Sequence, residues 1–239
     1  KGKADDVKKE YEKKFDYIVE LPFGNSAHID GCHGMNIWQM IHCSPFDETI
    51  YIDADTIMHY LDMDLVWQVM QTNGDFSVLN SGLSYRNWQL DYSKRFEFET
   101  IYNLPKFFNN IMYWKKDSVT AIEWFKMADP IMQDWRSAYN KFFKDKKPGY
   151  FNKNILCNLV THCLDLQDQI GVFINNHYDL HADAQGVWTD DIPNAWTEML
   201  NYWTSKNGKI QIENHIITSG IIHYTDENFL TRDVLDAYR

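Results

Sequence analysis

Short runs rich in β-branched and aromatic residues alternate along this chain with longer segments of helical apolar spacing, and that alternation constrains the fold most. Strand-like runs are expected at 16–20 (DYIVE), 48–52 (ETIYI), 76–79 (FSVL), 111–114 (IMYW) and 171–174 (GVFI), then at 210–217 and 220–224. Helical spacing is expected over 7–15, 35–43, 65–71 with Asp64 as N-cap, 119–135 with an interruption near Pro130, 151–164 and 196–203, and a charged helix closes the chain. Residues 80–107 are polar and aromatic without a clean period. Strands alternating with helices predict an α/β layered fold with a mostly parallel central sheet. No internal repeat or linker divides the 239 residues, so one domain over 1–239 is expected.

Composition excludes several functions. No stretch of about 18 apolar residues occurs, so no membrane span is expected. The Lys-rich start has no apolar run behind it and does not read as a signal peptide. With 23 basic against 34 acidic residues the net charge is −11, which opposes general nucleic-acid binding. A nucleotide remains compatible where a divalent cation bridges acids and phosphates. The cysteines Cys32, Cys43, Cys157 and Cys163 form no C-x-x-C pair and read as free thiols of a reducing, cytoplasmic compartment. His28, Cys32 and His33 lack a second ligand pair at zinc spacing.

Chance alone places about two D-x-D pairs in a chain of this length with 24 aspartates, and two occur, Asp53/Asp55 and Asp62/Asp64. Context separates them. Asp53 and Asp55 follow the apolar run Ile50-Tyr51-Ile52 at the carboxyl end of a strand, where open α/β sheets bind ligands. Two carboxylates at alternate positions of an extended chain can share Mn²⁺ or Mg²⁺ and through it a diphosphate. Asp62 and Asp64 open a helix, where aspartate caps free N–H groups. His223, on a late apolar strand, could complete a cation site made of carboxylates. The amides of Asn109 and Asn110 carry both donors and acceptors suited to sugar hydroxyls. Asn152 and Asn154 begin a helix, with capping the simplest role for Asn152. Asp183, in His181-Ala-Asp-Ala-Gln185, offers a further carboxylate.

The segment 44–56 (SPFDETIYIDADT) resembles the D-x-D segment of GT-A-fold glycosyltransferases, particularly the glycogenin-like retaining enzymes of glycosyltransferase family eight. Residues 108–116 (FNNIMYWKK) are similar to the strand that lies beside the donor sugar in that group, and 220–224 (GIIHY) to the late strand whose histidine is a metal ligand. The three segments occur in the family order over roughly 16–225. The resemblance implies a GT-A-like nucleotide-diphospho-sugar transferase fold. It implies a metal-dependent glycosyltransferase, with Asp53, Asp55 and His223 holding Mn²⁺ or Mg²⁺ and the donor. A sugar would pass from a nucleotide-diphosphate donor to a carbohydrate or other hydroxyl acceptor, past Asn109, Asn110 and Asp183. Tyr85, Trp88 and Tyr92 would stack on sugars or cover the site.

Three departures from that pattern bear on the chemistry. Met35-Asn-Ile-Trp38 lacks the basic residue usual in the helix before the D-x-D strand. The run after His223 lacks the usual lysine, leaving Lys115, Lys116 or Arg232 to meet phosphate charge beside the metal and backbone N–H groups. A single strand precedes the D-x-D strand, so either the chain lacks its natural N-terminus, with the fold's first strand, or the nucleotide base is held differently. Two alternatives fit a similar layered fold: a sugar nucleotidyltransferase, and a non-catalytic carbohydrate-binding or interaction module.

Overall fold

The computed structural model describes residues 13–25, 33–90, 100–144, 148–180, 196–198, 200–204 and 209–236. A 3-10 segment (His33–Gln39) runs into α1 (Met40–Cys43). Then come β1 (Glu48–Ile52), β2 (Thr56–His59), α2 (Met63–Met70), β3 (Phe76–Leu79) and β4 (Phe108–Lys115). They are followed by α3 (Val119–Gln133), α4 (Trp135–Phe142), α5 (Lys153–Cys163), β5 (Gly171–Val172) and β6 (His177–Asp179). After these lie β7 (Tyr202–Thr204), β8 (Ile210–Ile212), β9 (His215–Ile217), β10 (Gly220–His223) and α6 (Arg232–Asp236).

The architecture is mixed α/β, but its strands are mostly antiparallel, which corrects the expectation of a largely parallel sheet. One sheet has the order β1-β4-β3-β5, a second β2-β10-β6 and a third β7-β8-β9. Only β3–β5 and β6–β10 pair in parallel among the described strands. Period-2 patterning reports which face of a strand is buried, not which way its neighbour runs.

Side-chain alternation on β1 and β4 divides the core. Tyr51 lies opposite Met112, and both face the helical cluster of α3 and α5 with Trp114, Trp124 and Leu156. Ile50 lies opposite Tyr113, and both face a second cluster with Val66 and Met70 of α2 and Ile221 of β10. Helix α3 buries Ala121, Trp124, Phe125, Ala128 and Met132, the i, i+3, i+4, i+7, i+11 set of one helical face. Ser118 caps it by accepting from the Ala121 N–H at 3.2 Å. Pro130 stays inside this helix, and the break comes at Asp134, whose carboxylate caps α4 by accepting from the Ser137 N–H at 3.2 Å. Helix α5 buries every residue from Ile155 to Thr161, as a helix sandwiched between other elements must.

Other expectations are also corrected. Residues 16–20 form no strand, and 13–14 form a turn rather than a helix end, while 1–12 lie outside the described residues. The N-cap of α2 is Asp62, whose side chain accepts from the Asp64 N–H, so Asp64 is the second helical residue. The segment 196–203 is a 3-10 turn (Trp196–Glu198) and then β7, not one helix. No helix among the described residues is long and apolar enough to cross a membrane.

The connection from β1 to β2 positions the site. The chain leaves the first sheet at Ile52 and enters the second at Thr56, so Asp53-Ala54-Asp55 bridges the two. The Asp53 N–H donates to the Asn110 carbonyl at 2.9 Å, fixing Asp53 to the first sheet. The Asp55 carbonyl accepts from the Tyr224 N–H at 3.0 Å, fixing Asp55 to the second. Gly220 starts β10 with φ 149°, and a Cβ there would stand 2.3 Å from the Asn176 carbonyl oxygen, so only glycine lets β10 begin at this depth.

Candidate metal centre

Asp53, Asp55 and His223 converge at the seam between the sheets, with one ligating atom from each lying within 4.8 Å of the others. The carboxylates come from the β1–β2 connection. The imidazole comes from the last residue of β10, opposite Thr56 on one side and Asp179 on the other. His223 Nε2 stands 3.2 Å from Asp55 Oδ1, and Nδ1 stands 3.6 Å from Asp179 Oδ2. Asp179 is almost wholly buried, whereas the Asp55 side chain is 39% exposed and forms the open side of the cluster.

The electrostatics follow from this packing. Burial pushes the His223 imidazole toward neutrality, but hydrogen bonds and charge from Asp179 and Asp55 outweigh it and raise its pKa to about 10. Burial opposes ionisation of Asp55, yet the hydrogen bond and charge of His223 leave its carboxyl below the usual range. His177, buried beside these groups, is pushed down to about 3, first by desolvation and further by the nearby His223 charge, against the pull of Asp179. It is therefore neutral, and its Nε2 meets Asn110 Nδ2 at 3.1 Å.

Lys153 is the residue that sequence reasoning missed. It is the first residue of α5, directly after the cap Asn152, which accepts from the Ile155 N–H at 3.1 Å. Its ammonium donates to Asp53 Oδ1 at 2.6 Å and also to Oδ2. The Tyr51 hydroxyl donates to the same Oδ1, and the ammonium lies 5.6 Å from the centre of the Tyr51 ring. The ion pair is mostly enclosed, with side-chain exposures of 16% and 17%. One signal for it was present. A lysine in the first turn has the wrong sign for the helix dipole, which marks it as a position where a carboxylate elsewhere would compensate.

The remaining candidates are dispersed. Asn109 is fully buried, and its Nδ2 reaches the Phe107 carbonyl at 3.5 Å and Asn158 Oδ1 at 3.4 Å, so it is a core amide rather than a sugar contact. Its N–H donates to Asn154 Oδ1 at 3.3 Å. Asn110 is 2% exposed, adjoins Asp53 through the backbone, and is closed to a ligand in this state. Its Oδ1 is buried and finds no hydrogen-bond partner among the described residues.

Asp183, Tyr92, Cys32 and His28 lie outside the described residues. Tyr85 is buried in the core, while Trp88 is exposed with Arg86 5.4 Å from its ring. Lys115 pairs with Asp75 at 2.9 Å, at the end of β4 remote from Asp53, and Lys116 follows it, so neither can meet a phosphate at the cluster. An apolar cavity of about 710 Å³ runs along the outer edge of β1. Tyr51 and Ile52 line it but none of the three cluster residues does, so it adjoins the cluster without being part of it.

Two carboxylates and an imidazole suit Mn²⁺ or Mg²⁺ better than a thiolate-seeking ion. A carboxylate behind the imidazole, as Asp179 stands behind His223, is the usual outer partner of a metal-ligating histidine. The donor set therefore fits a divalent cation. No protein-family model matches this chain, and neither curated proteins nor solved structures yield a match.

Proposed function

We propose that this protein is a metal-assisted glycosyltransferase with a GT-A-like fold, moving a sugar from a nucleotide-diphosphate donor to a hydroxyl acceptor. The observation that carries the reading is the meeting of Asp53, Asp55 and His223, from positions 170 residues apart at the extremes, with ligating atoms within 4.8 Å. The sequence context of D-x-D and of the late I-I-H strand supports it from an independent direction.

In this reading Asp55 and His223 Nε2 would hold Mn²⁺ or Mg²⁺ and Asp53 would share it. When bound, the ion supplies charge stabilisation to a departing diphosphate. The chain's own residues prepare the place. Asp179 orients the imidazole from behind, Tyr51 fixes Asp53, and the two sheets hold the aspartates through the Asn110 and Tyr224 backbone bonds. The test is a panel of nucleotide sugars with Mn²⁺, read by released nucleoside diphosphate, with EDTA as control. Metal-dependent release from one donor is expected, and equal release in EDTA overturns the reading.

One observation favours a non-catalytic module as the second reading. Lys153 and His223 already neutralise Asp53 and Asp55 from within. Slow metal-dependent hydrolysis of the donor separates the two, since a binding module has none.

A further inference from the structure

We propose that Lys153 is the resident cation of this cluster, and that a divalent ion binds by displacing its ammonium from Asp53. The inference rests on the cation-site reading above and deepens it by naming what controls entry to the site.

Three observations carry it. First, the ammonium contacts both oxygens of Asp53, and the Tyr51 hydroxyl takes a further lone pair on Oδ1. Three of the roughly four acceptor sites of the carboxylate are thus taken, and the ammonium cancels its charge, so Asp53 becomes a full anionic ligand once Lys153 withdraws. Second, the pair is mostly enclosed, so neither charge is compensated by bulk water when the other leaves. Third, the lysine stem has room beside it only because residue 34 is glycine. A Cβ there would lie 3.2 Å from Lys153 Cβ and 3.3 Å from its Cδ, so the chain opposite the stem is glycine where a larger residue would press on it. That room leaves the stem free to change its path when the ammonium withdraws.

The exchange carries a consequence for the ligand. Displacement leaves an ammonium in a mostly enclosed site without its carboxylate, which is unfavourable unless a new anion arrives. A metal ion alone must meet that cost, whereas a metal accompanied by a diphosphate brings the anion with it. Lys153 therefore couples cation binding to anion binding, so that each strengthens the other. This also supplies the phosphate-facing cation absent from Met35–Trp38 and from the run after His223.

The test is Mn²⁺ titration by calorimetry on the wild type, Lys153→Met and Lys153→Arg, together with amine labelling of Lys153 read by mass spectrometry with and without Mn²⁺. Lys153→Met is expected to bind Mn²⁺ alone at least about tenfold more tightly. Lys153→Arg, which keeps a cation on Asp53, should stay near the wild type. Labelling of wild-type Lys153 should rise when Mn²⁺ is added. That rise separates displacement from mere long-range repulsion, which would shift the affinities but leave the lysine in place.

Unchanged affinity in Lys153→Met with unchanged labelling overturns the displacement and leaves the cation site standing. No Mn²⁺ binding by any of the three proteins overturns the cation site and the displacement with it. If Lys153→Met melts too low to titrate, Lys153→Gln carries the same comparison, because its amide can still donate to Asp53.

Discussion

The two D-x-D pairs are nine residues apart and identical in pattern, yet the fold uses them in opposite ways. Asp53 and Asp55 sit where the chain crosses between two sheets, and every nearby element delivers a charged or polar group to them: α5 its lysine, β10 its histidine, β6 the carboxylate behind that histidine. Asp62 and Asp64 are exposed at the start of α2, where one carboxylate serves one N–H. A D-x-D acquires chemistry from the elements that converge on it.

Asp55→Asn should reduce Mn²⁺ affinity by more than the roughly 10–100-fold usual for loss of an outer-shell partner, because it removes a charged ligand outright. The fold should persist, since Asp55 contributes its backbone carbonyl, not its side chain, to the sheet. Asp179→Asn should fall within that 10–100-fold range, because Asp179 meets the imidazole of His223 and would reach a bound ion only through it. Calorimetric titration of both variants checks the ranking. If Asp179→Asn weakens binding more than Asp55→Asn, the buried carboxylate is the ligand and the exposed one is not.

His223 gives a pH dependence whose sign can be worked out. Its folded pKa, about 10, lies above the ordinary imidazole value of 6.5. In the metal-free protein its stabilising contribution is complete below about 6.5 and disappears as pH rises through about 10. Metal binding has the opposite sign, because a ligating imidazole must first lose its proton. Mn²⁺ affinity should therefore climb about tenfold per pH unit, or roughly 100-fold between pH 6 and 8, with one proton released per ion. His223→Ala should flatten both the affinity slope and the alkaline fall in melting temperature measured in EDTA. A flat wild-type titration would remove His223 from the metal shell.

The parts of this site visible in the sequence were those encoded locally. An apolar strand ending in acids, and an apolar strand ending in histidine, are patterns of five or six residues, and both were placed correctly at β1 and β10. Lys153 and Asp179 depend on where α5 and β6 dock, 100 and 126 residues after Asp53, and no local pattern reports that distance. Strand direction escapes local pattern for the same reason, because long connections decide it. Asn109 and Asn110 had the right chemistry, but β4 is buried on both faces, so their amides serve the core.

The smallest expected effects belong to the second pair. Asp62 accepts from the Asp64 N–H at 3.0 Å and stands outside the helix with ψ 109°, as an N-cap does. Asp62→Ala should cost about 1 kcal/mol of stability, and Asp62→Asn very little, because asparagine caps about as well. Asp64 lies in the first turn and loses only a screened interaction with the helix dipole, so Asp64→Asn should cost less than about 1 kcal/mol. None of these three variants should move the Mn²⁺ isotherm. Thermal melts read the first set of effects and calorimetry the second, and the two measurements are independent. A metal affinity that changed with Asp62 or Asp64 while stability did not would mean that the cation site extends to α2, and the contrast between the two pairs would collapse.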